Sequence, residues 1–241
     1  MNINKSTANT MRDKKNYWLL FITSMILLFN AGIINSVVLY RAYHKSVVYM
    51  TGNVSFLGRY LADNKMIVFL HVLAIVVGFL IGAIINGILL RKQSFSLDNA
   101  YGKSLMLQAS FLAFGTFLIA NRFPIVHHFD EFFIAIAGGM QNSLTTKYSG
   151  AVVRTTHLTG TITDLGIEIG HLLSGKECHP WKIMFFSSSI LFFFLGSLFG
   201  AHWSDLMNHS YYYLLSPSII ITFLVGLAFL IKFKEKISKA T

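Results

Sequence analysis

Met50-Thr51-Gly52-Asn53 and Leu158-Thr159-Gly160-Thr161 are two versions of one phrase, and their pairing decides how the chain is read. Each follows an apolar stretch with a glycine and an Asn-Ser pair: Gly32-Ile33-Ile34-Asn35-Ser36 before the first, Gly139-Met140-Gln141-Asn142-Ser143 before the second. Each is followed by a Leu-Gly pair, Leu57-Gly58 and Leu165-Gly166. Gly32 and Gly139 lie 107 positions apart and Thr51 and Thr159 lie 108 apart, so one insertion restores the register. Small and polar residues recurring in one order indicate internal duplication, which has to be found before a fold is assigned.

The 241 residues are 54% hydrophobic and only 12% charged, against about 25% charged in ordinary soluble domains. Such a chain cannot cover its own surface in water, and lipid is the natural solvent for most of it. The expected fold is all-α: a polytopic membrane helical bundle. The formal net charge of +10 would suggest nucleic acid in a soluble protein. Here no basic helix with interleaved aromatics lies outside the apolar segments. The lysines and arginines sit in loops and tails, where they set topology. The expected partner is therefore the lipid bilayer, not nucleic acid. Cys178 is the only cysteine, which excludes an internal disulfide or a cysteine-based metal site. The first apolar run is too long for a signal-peptide core.

Residues 1–16 read as a polar, basic N-terminal tail. Residues 17–232 read as a single membrane domain made of repeat 17–121 and repeat 130–231, with 232–241 a basic C-terminal tail. Apolar runs predict helices over 17–40, 50–62, 66–90 and 104–120, then over 132–146, 159–173, 182–203 and 211–231. Pro124 falls between the halves, Pro180 at a helix start and Pro217 inside the last helix, where a kink is tolerable in a membrane. At a rise of about 1.5 Å per residue, the helix over 50–62 reaches only about 20 Å, against a hydrocarbon core of about 30 Å. Its counterpart carries Asp164, Glu168 and His171, and each ionised carboxylate near the centre of a lone span costs about 2.5–3.5 kcal/mol. Both are therefore expected to be short re-entrant or interfacial helices, leaving about six spans. With the N-terminus in the cytoplasm, Arg91, Lys92, Lys103, Lys147, Arg154 and the tail residues Lys232, Lys234, Lys236 and Lys239 all fall inside. Arg41, Lys45, Arg59 and Lys65 are the misfits. Three spans between equivalent helices turn the second half upside down, the inverted-repeat plan of many secondary transporters.

In such plans, short helices at matching positions point to the site. Thr51 and Thr159 are expected to cap their helices, and Gly52 and Gly160 to let backbone or ligand approach. Two helix starts carry a positive dipole end that could hold an anion or polar solute. The candidate solute-binding set is Asn35, Thr51, Gly52, Asn53, Gln141, Asn142, Thr159, Gly160 and Thr161. The competing reading is ordinary helix capping, with the buried amides tying helices together. At about 100° per residue, His157, Thr161, Asp164, Glu168 and His171 share a stripe about 80° wide. That makes Asp164, Glu168 and His171 candidates for coupling or gating, against the alternative of a helix lying on the membrane surface. Gln108 and His71 read as lone hydrogen-bonding residues within spans. Glu168-x-x-His171 has the spacing of a di-metal carboxylate bundle, but the second copy such a site needs is missing. No metal or other cofactor is expected. Without a nucleophile elbow, Walker loop, dinucleotide fingerprint or zinc-helix motif, nothing indicates an enzyme.

These residues resemble the YoaK-like family of multi-spanning bacterial membrane proteins of unknown function. The resemblance rests on Val48-Tyr49-Met50-Thr51-Gly52-Asn53 with Leu57-Gly58, and on Gly139-Met140-Gln141-Asn142-Ser143 with Thr155-Thr156 and Thr159-Gly160-Thr161. It covers most of the chain. It departs at Asn35, where the family pattern often has Asp, so any ion coupling by that carboxylate would be lacking here. The resemblance implies a bacterial cytoplasmic (inner) membrane and supplies no substrate. The expected function is a small-solute or ion transporter, or a channel-like protein, with both termini cytoplasmic. The alternative is a non-transporting membrane sensor or scaffold. Oligomeric state is left open.

Overall fold

Eight helices form among the residues that the computed structural model describes, which are 14–41, 47–90, 99–121, 131–148, 157–207, 213 and 215–238. They are α1 (Lys14–Arg41), α2 (Met50–Ala62), α3 (Met66–Leu89), α4 (Asn99–Asn121), α5 (Glu131–Tyr148), α6 (Leu158–Leu173), α7 (Pro180–Leu206) and α8 (Ser216–Ser238). No strand occurs among the described residues. The expected all-helical membrane bundle is what the chain forms. Of the sequence expectations, the tail to residue 13, Pro124, Lys45, Arg91, Lys92, Arg154, Thr155, Thr156 and Lys239 lie outside the described residues.

Among the described residues five helices are long and apolar enough to cross a membrane: Trp18–Val38 of α1, all of α3, α4 and α7, and Ser216–Lys234 of α8. The expected sixth, α5, is not among them, because Glu131, Gln141, Asn142 and Lys147 dilute its apolar residues. Its position explains why it need not be apolar. No described side chain of α5 is exposed, and it packs on α3, α4 and α1, so it is solvated by protein instead of lipid. Pro217 also departs from expectation. It occupies the first turn of α8, where a missing N–H breaks no helical hydrogen bond. The turn ahead of it is held by Ser216, whose N–H and hydroxyl both donate to Tyr213 O.

Contacts fix the directions of the rods. Gly196 and Gly200 of α7 lie against Phe29 and Ile33 of α1, so these two run parallel. Gly78 and Gly82 of α3 lie against Phe132 and Ile136 of α5, likewise parallel. Gly115 and Gln108 of α4 meet Ile134 and Gln141 of α5, in opposite senses. Leu27 and Asn30 of α1 meet Leu144 and Gln141 of α5, also antiparallel. Gly102 of α4 lies at Leu230 of α8 and Leu105 at Gly226, antiparallel again. Hence α1, α4 and α7 start at one end of the bundle, the near face, while α3, α5 and α8 start at the other, the far face.

The tightest seams come in matched pairs. A Cβ on Gly32 or Gly139 would collide with Phe193 O or Phe79 O, and one on Gly196 or Gly82 with Phe29 O or Ile136 O. These glycines are what allow the backbones to touch. Each long helix that opens one half thus packs on the second long helix of the other half.

The short helices form hairpins with the rods that follow them, α2 with α3 and α6 with α7, and the side chains of Met50 and Leu165 also reach core clusters that include residues of α1. Just ahead of α2, Val47 and Val48 are buried against Gly138 and Phe79, midway along α5 and α3. From there α2 climbs to the far face and turns at Asp63–Lys65, with Asn64 in the left-handed region at φ 55°. Leu165 of α6 packs with Phe185, Phe186 and Phe192 of α7. Two further turns, about 10 Å, bring the start of α6 alongside the middle of α7. Its end turns at the near face through Gly175, φ 67°. The two half-length helices therefore lie in opposite halves of the bundle, and they do not touch.

Candidate functional site

The polar residues that gather in the bundle come mostly from the middles of long helices. Gln141 of α5 accepts hydrogen bonds on Oε1 from Asn30 Nδ2 of α1 (3.0 Å) and Gln108 Nε2 of α4 (2.6 Å). Its own Nε2 donates to Leu27 O of α1 at 2.6 Å. Asn30 Nδ2 also donates to Thr222 Oγ1 of α8 at 3.0 Å. One turn nearer the near face, Ser104 Oγ donates to Asn86 Oδ1 (2.6 Å), and Asn86 Nδ2 donates to Met140 O (2.5 Å). All these side chains are buried. The cluster therefore ties α1, α3, α4, α5 and α8 at one level.

This cluster is incompletely satisfied. Asn30 Oδ1, Gln108 Oε1 and Ser218 Oγ have no hydrogen-bond partner among the described residues. An unpaired buried acceptor costs about 1–3 kcal/mol, so its retention needs an occupant or a purpose. Ser218 stands 114 positions after Ser104, and Gly200 stands 114 positions after Asn86. Where Ser104 has an asparagine to serve it, the second half offers a glycine.

Toward the near face, a small and partly open apolar cleft of about 10 Å³, room for about one water molecule, lies next to the cluster. It is lined by Thr23, Leu27, Tyr101, Leu105, Leu144 and Phe229. Each of these is one or two turns nearer the near face than Asn30, Gln108, Gln141 or Thr222 on its own helix. Toward the far face the same helices close over a dry core that includes Ile34, Val37, Leu112, Ile119, Ile134 and Leu215. The arrangement is a polar waist, sealed on one side and approached by an apolar cleft on the other.

Of the expected solute-binding residues, only Gln141 belongs to this waist. Asn142 is half-buried, its Oδ1 has no hydrogen-bond partner among the described residues, and its carbonyl accepts from Thr145 and Thr146. Asn35 is half-buried and lies outside the cluster's hydrogen bonds described above. The two Thr-Gly motifs are not brought together, since α2 and α6 stand at separate edges. Nor do their threonines cap. The N-cap positions are Tyr49 and His157, without a side-chain cap, and Thr51 and Thr159 are exposed in the first turn.

The glycines have a local reason. A Cβ on Gly52 would strike the Tyr49 ring, and one on Gly160 would stand 3.2 Å from the His157 ring. Each motif lets the ring of the preceding residue fold over the first helical turn. Asn53 is buried and Thr161 half-buried, with Thr161 Oγ1 donating to His157 O at 3.2 Å. Asn30, Asn86 and Thr222 were missed. The available signal was that they are polar residues inside uncharged apolar runs, which is expensive unless they are paired.

The acidic stripe of α6 divides. Asp164 is exposed and His171 half-buried, while Glu168 turns onto α7 and is buried. There Glu168 Oε1 accepts from Lys182 Nζ at 2.7 Å and Oε2 from His179 N–H at 3.0 Å. The Lys182 hydrogen bond, then that from His179, holds this carboxyl below its ordinary value, and burial opposes them. Its folded value is depressed, so the stability it contributes is full above the unfolded carboxylate pKa. That stability is lost as pH falls through the folded value. Glu168→Gln is expected to lower the melting temperature at neutral pH and to converge with the parent protein in acid, read by thermal shift across pH. Equal melting at neutral pH would remove this lock from the fold. Among the described residues no group of three or more His, Cys, Asp or Glu is placed to hold a metal.

Comparison with known proteins agrees with this membrane architecture. The family described as "Protein of unknown function (DUF1275)" matches residues 23–229. The protein printed as "UPF0700 transmembrane protein YoaK" from Bacillus subtilis (strain 168) is 28% identical over 153 residues, which cover 63% of this chain and 68% of that protein. No solved structure matches. The resemblance read from the Thr-Gly motifs is borne out, and the chain is a multi-pass membrane protein in contact with lipid.

Proposed function

The chain belongs to the DUF1275 family of proteins of unknown function, and from that footing we propose that it is a small-solute or ion transporter, or a channel-like protein, built from two inverted halves. The observation that carries this reading is the buried amide waist with its unpartnered acceptors. Packing alone does not call for it, because the glycine seams already hold the long helices together. A polar waist at membrane depth costs free energy, and a polar passenger gives it a use. Duplication is supported by the matched seams at Gly32 and Gly139 and at Gly82 and Gly196. It is also supported by the antiparallel course of α1 against α5 and of α4 against α8. A two-fold axis in the membrane plane relates such halves, and solute sites lie where they meet.

In this reading the path runs between α1, α4, α5 and α8, entered through the near-face cleft. Gln141 and Gln108 touch the solute, and the Thr-Gly motifs shape the half-helices. The near face is the cytoplasmic side of a bacterial inner membrane, since Lys103, Lys147, Lys176, Lys182, Lys232 and Lys234 gather toward it. Six rods cross, α5 included, and both termini are cytoplasmic. The protein is read as a carrier or channel and not an enzyme.

Uptake of a metabolite and ion panel into proteoliposomes tests the reading. The full chain is expected to move at least one member, and Gln108→Leu, checked for a monodisperse fold, to lose more than nine-tenths of that rate, about 1.4 kcal/mol or more. A folded parent protein that moves nothing would favour a sensor or scaffold. The peripheral placement of α2 and α6, away from any shared centre, supports that second reading.

A further inference from the structure

The hydrogen bonds of the waist fix which way its amides face. Leu27 O can only accept, so the Gln141 atom 2.6 Å from it is the amine Nε2. Gln141 Oε1 therefore faces Asn30 and Gln108, and both must present amines to it. A second relay agrees. Thr222 Oγ1 donates to Ser218 O at 2.7 Å, so toward Asn30 Nδ2 it accepts. Both amine hydrogens of Asn30 are thereby used.

What is left over is lopsided. Asn30 Oδ1 and Gln108 Oε1 can only accept, and neither has a hydrogen-bond partner among the described residues. Ser218 Oγ, one turn from Thr222 on α8, shares that condition. All three residues are 0% exposed. Against these acceptors stand at most one amine hydrogen of Gln108 and the Ser218 hydroxyl proton.

No side chain hydrogen-bonded in the waist is ionisable. The ionisable residues of the same five helices stand toward their ends. His71 of α3 pairs with Glu131 of α5 at 2.7 Å on the far face. Lys147, six residues beyond Gln141, donates to Gly87 O and Leu90 O. Lys103, five residues before Gln108, is exposed, and Lys232 comes ten residues after Thr222. On α1 no charged residue occurs between Lys15 and Arg41.

We propose that the waist selects small neutral solutes that offer hydrogen-bond donors, such as amides, urea or polyols, and rejects ions of either sign. This rests on the reading of the waist as the solute site. An anion meets carbonyl oxygens there and no helix start, because α2 and α6 begin at separate edges. A metal cation meets three oxygens of neutral groups, where hard cations take about six or more ligands. Neither ion finds an opposite charge. The cleft beside the waist is lined largely by apolar side chains and cannot replace a hydration shell. As it stands it has room for about one water molecule, so the solute is small and enters as the surrounding helices part. A neutral donor brings N–H or O–H groups to acceptors that are otherwise buried unpaired.

Saturation-transfer NMR on the full chain in lipid nanodiscs tests the class with three probes of similar shape: acetamide, N,N-dimethylacetamide and acetate. Acetamide has N–H donors, dimethylacetamide has none, and acetate is an anion. Acetamide is expected to bind at least about tenfold tighter than either. Potassium chloride at matched concentration is expected not to displace it. Ser218→Ala removes a hydroxyl that holds nothing in the fold. It is expected to melt no lower than the parent protein while binding acetamide about fivefold or more weakly. The proposal is overturned by no acetamide signal above empty nanodiscs, by equal binding of either other probe, or by displacement with potassium. Unchanged acetamide binding in Ser218→Ala overturns it equally. Binding in the expected order without uptake of any solute would sink transport and leave the recognition standing. Uptake of an ion by a protein that ignores acetamide would do the reverse.

Discussion

Gly196→Leu is expected to leave no folded, monodisperse protein. The missing Cβ of Gly196 would fall on Phe29 O, with Phe29 Cα closer than 3.0 Å as well. Both obstacles are backbone, so no side chain can swing aside. Relief requires α1 and α7 to separate along a seam that also contains Gly32 and Gly200. Overpacking a core typically costs about 1–3 kcal/mol where side chains can adjust, and backbone against backbone is worse. The matched substitution Gly82→Leu, aimed at Ile136 O, is expected to do the same to α3 and α5. The control is internal. Gly58, Gly166 and Gly170 lie on the half-helices with nothing within 4 Å of an added Cβ. Alanine at any of these is expected to raise stability by about 0.5–1 kcal/mol through helix propensity. Size-exclusion profiles and thermal shift in one detergent decide both arms. Normal folding of Gly196→Leu would mean that the α1–α7 seam is looser than described.

The second large effect is expected at Gln141. Leucine there removes two accepted hydrogen bonds and one donated bond, and strands the amides of Asn30 and Gln108 in a dry interior. Hydrogen bonds between membrane helices average about 0.6 kcal/mol and reach about 1.7. Losing three, with the orphaned groups added, gives about 2–4 kcal/mol. Gln141→Leu should therefore melt well below the parent protein and, on the proposed transport function, move no solute. Thr51→Ala and Thr159→Ala, both exposed, should change either property little. If the threonine variants lost activity while Gln141→Leu kept it, the site would lie at the half-helix starts after all.

Much of the architecture is legible in the residues. Apolar run lengths place all eight helices, and the shortness of 50–62 together with the acids of 158–173 marks the two that stop partway. Helix ends differ because charged flanks continue a helix beyond its apolar run, as at Lys14 and Ser238. The waist is much less legible. Asn30 meets Thr222, 192 residues away, and Gln141, 111 residues away. Neither partner leaves a local trace, because a single amide barely disturbs an apolar periodicity. The Thr-Gly motifs are conspicuous for the opposite reason. Their neighbours are local, a ring three residues earlier, so the recurrence of the phrase shows in the sequence although the two motifs do not converge. Polar residues recurring 114 positions apart, such as Ser104 with Ser218 and Gln108 with Thr222, were the signal to follow.

The crossed pairing of the rods bears on how the chain is made. The ribosome completes α1 at Arg41 and does not begin its main partner, α7, until Pro180. In that interval the Gly32 face and the Asn30 amide have neither α7 nor Gln141 to meet, and α3 waits in the same way for α5. Neither half can complete its interior from its own helices, so assembly is a late event that draws both halves together. The nascent chain must keep its polar waist sheltered, from lipid or by a helper, until the last rods arrive.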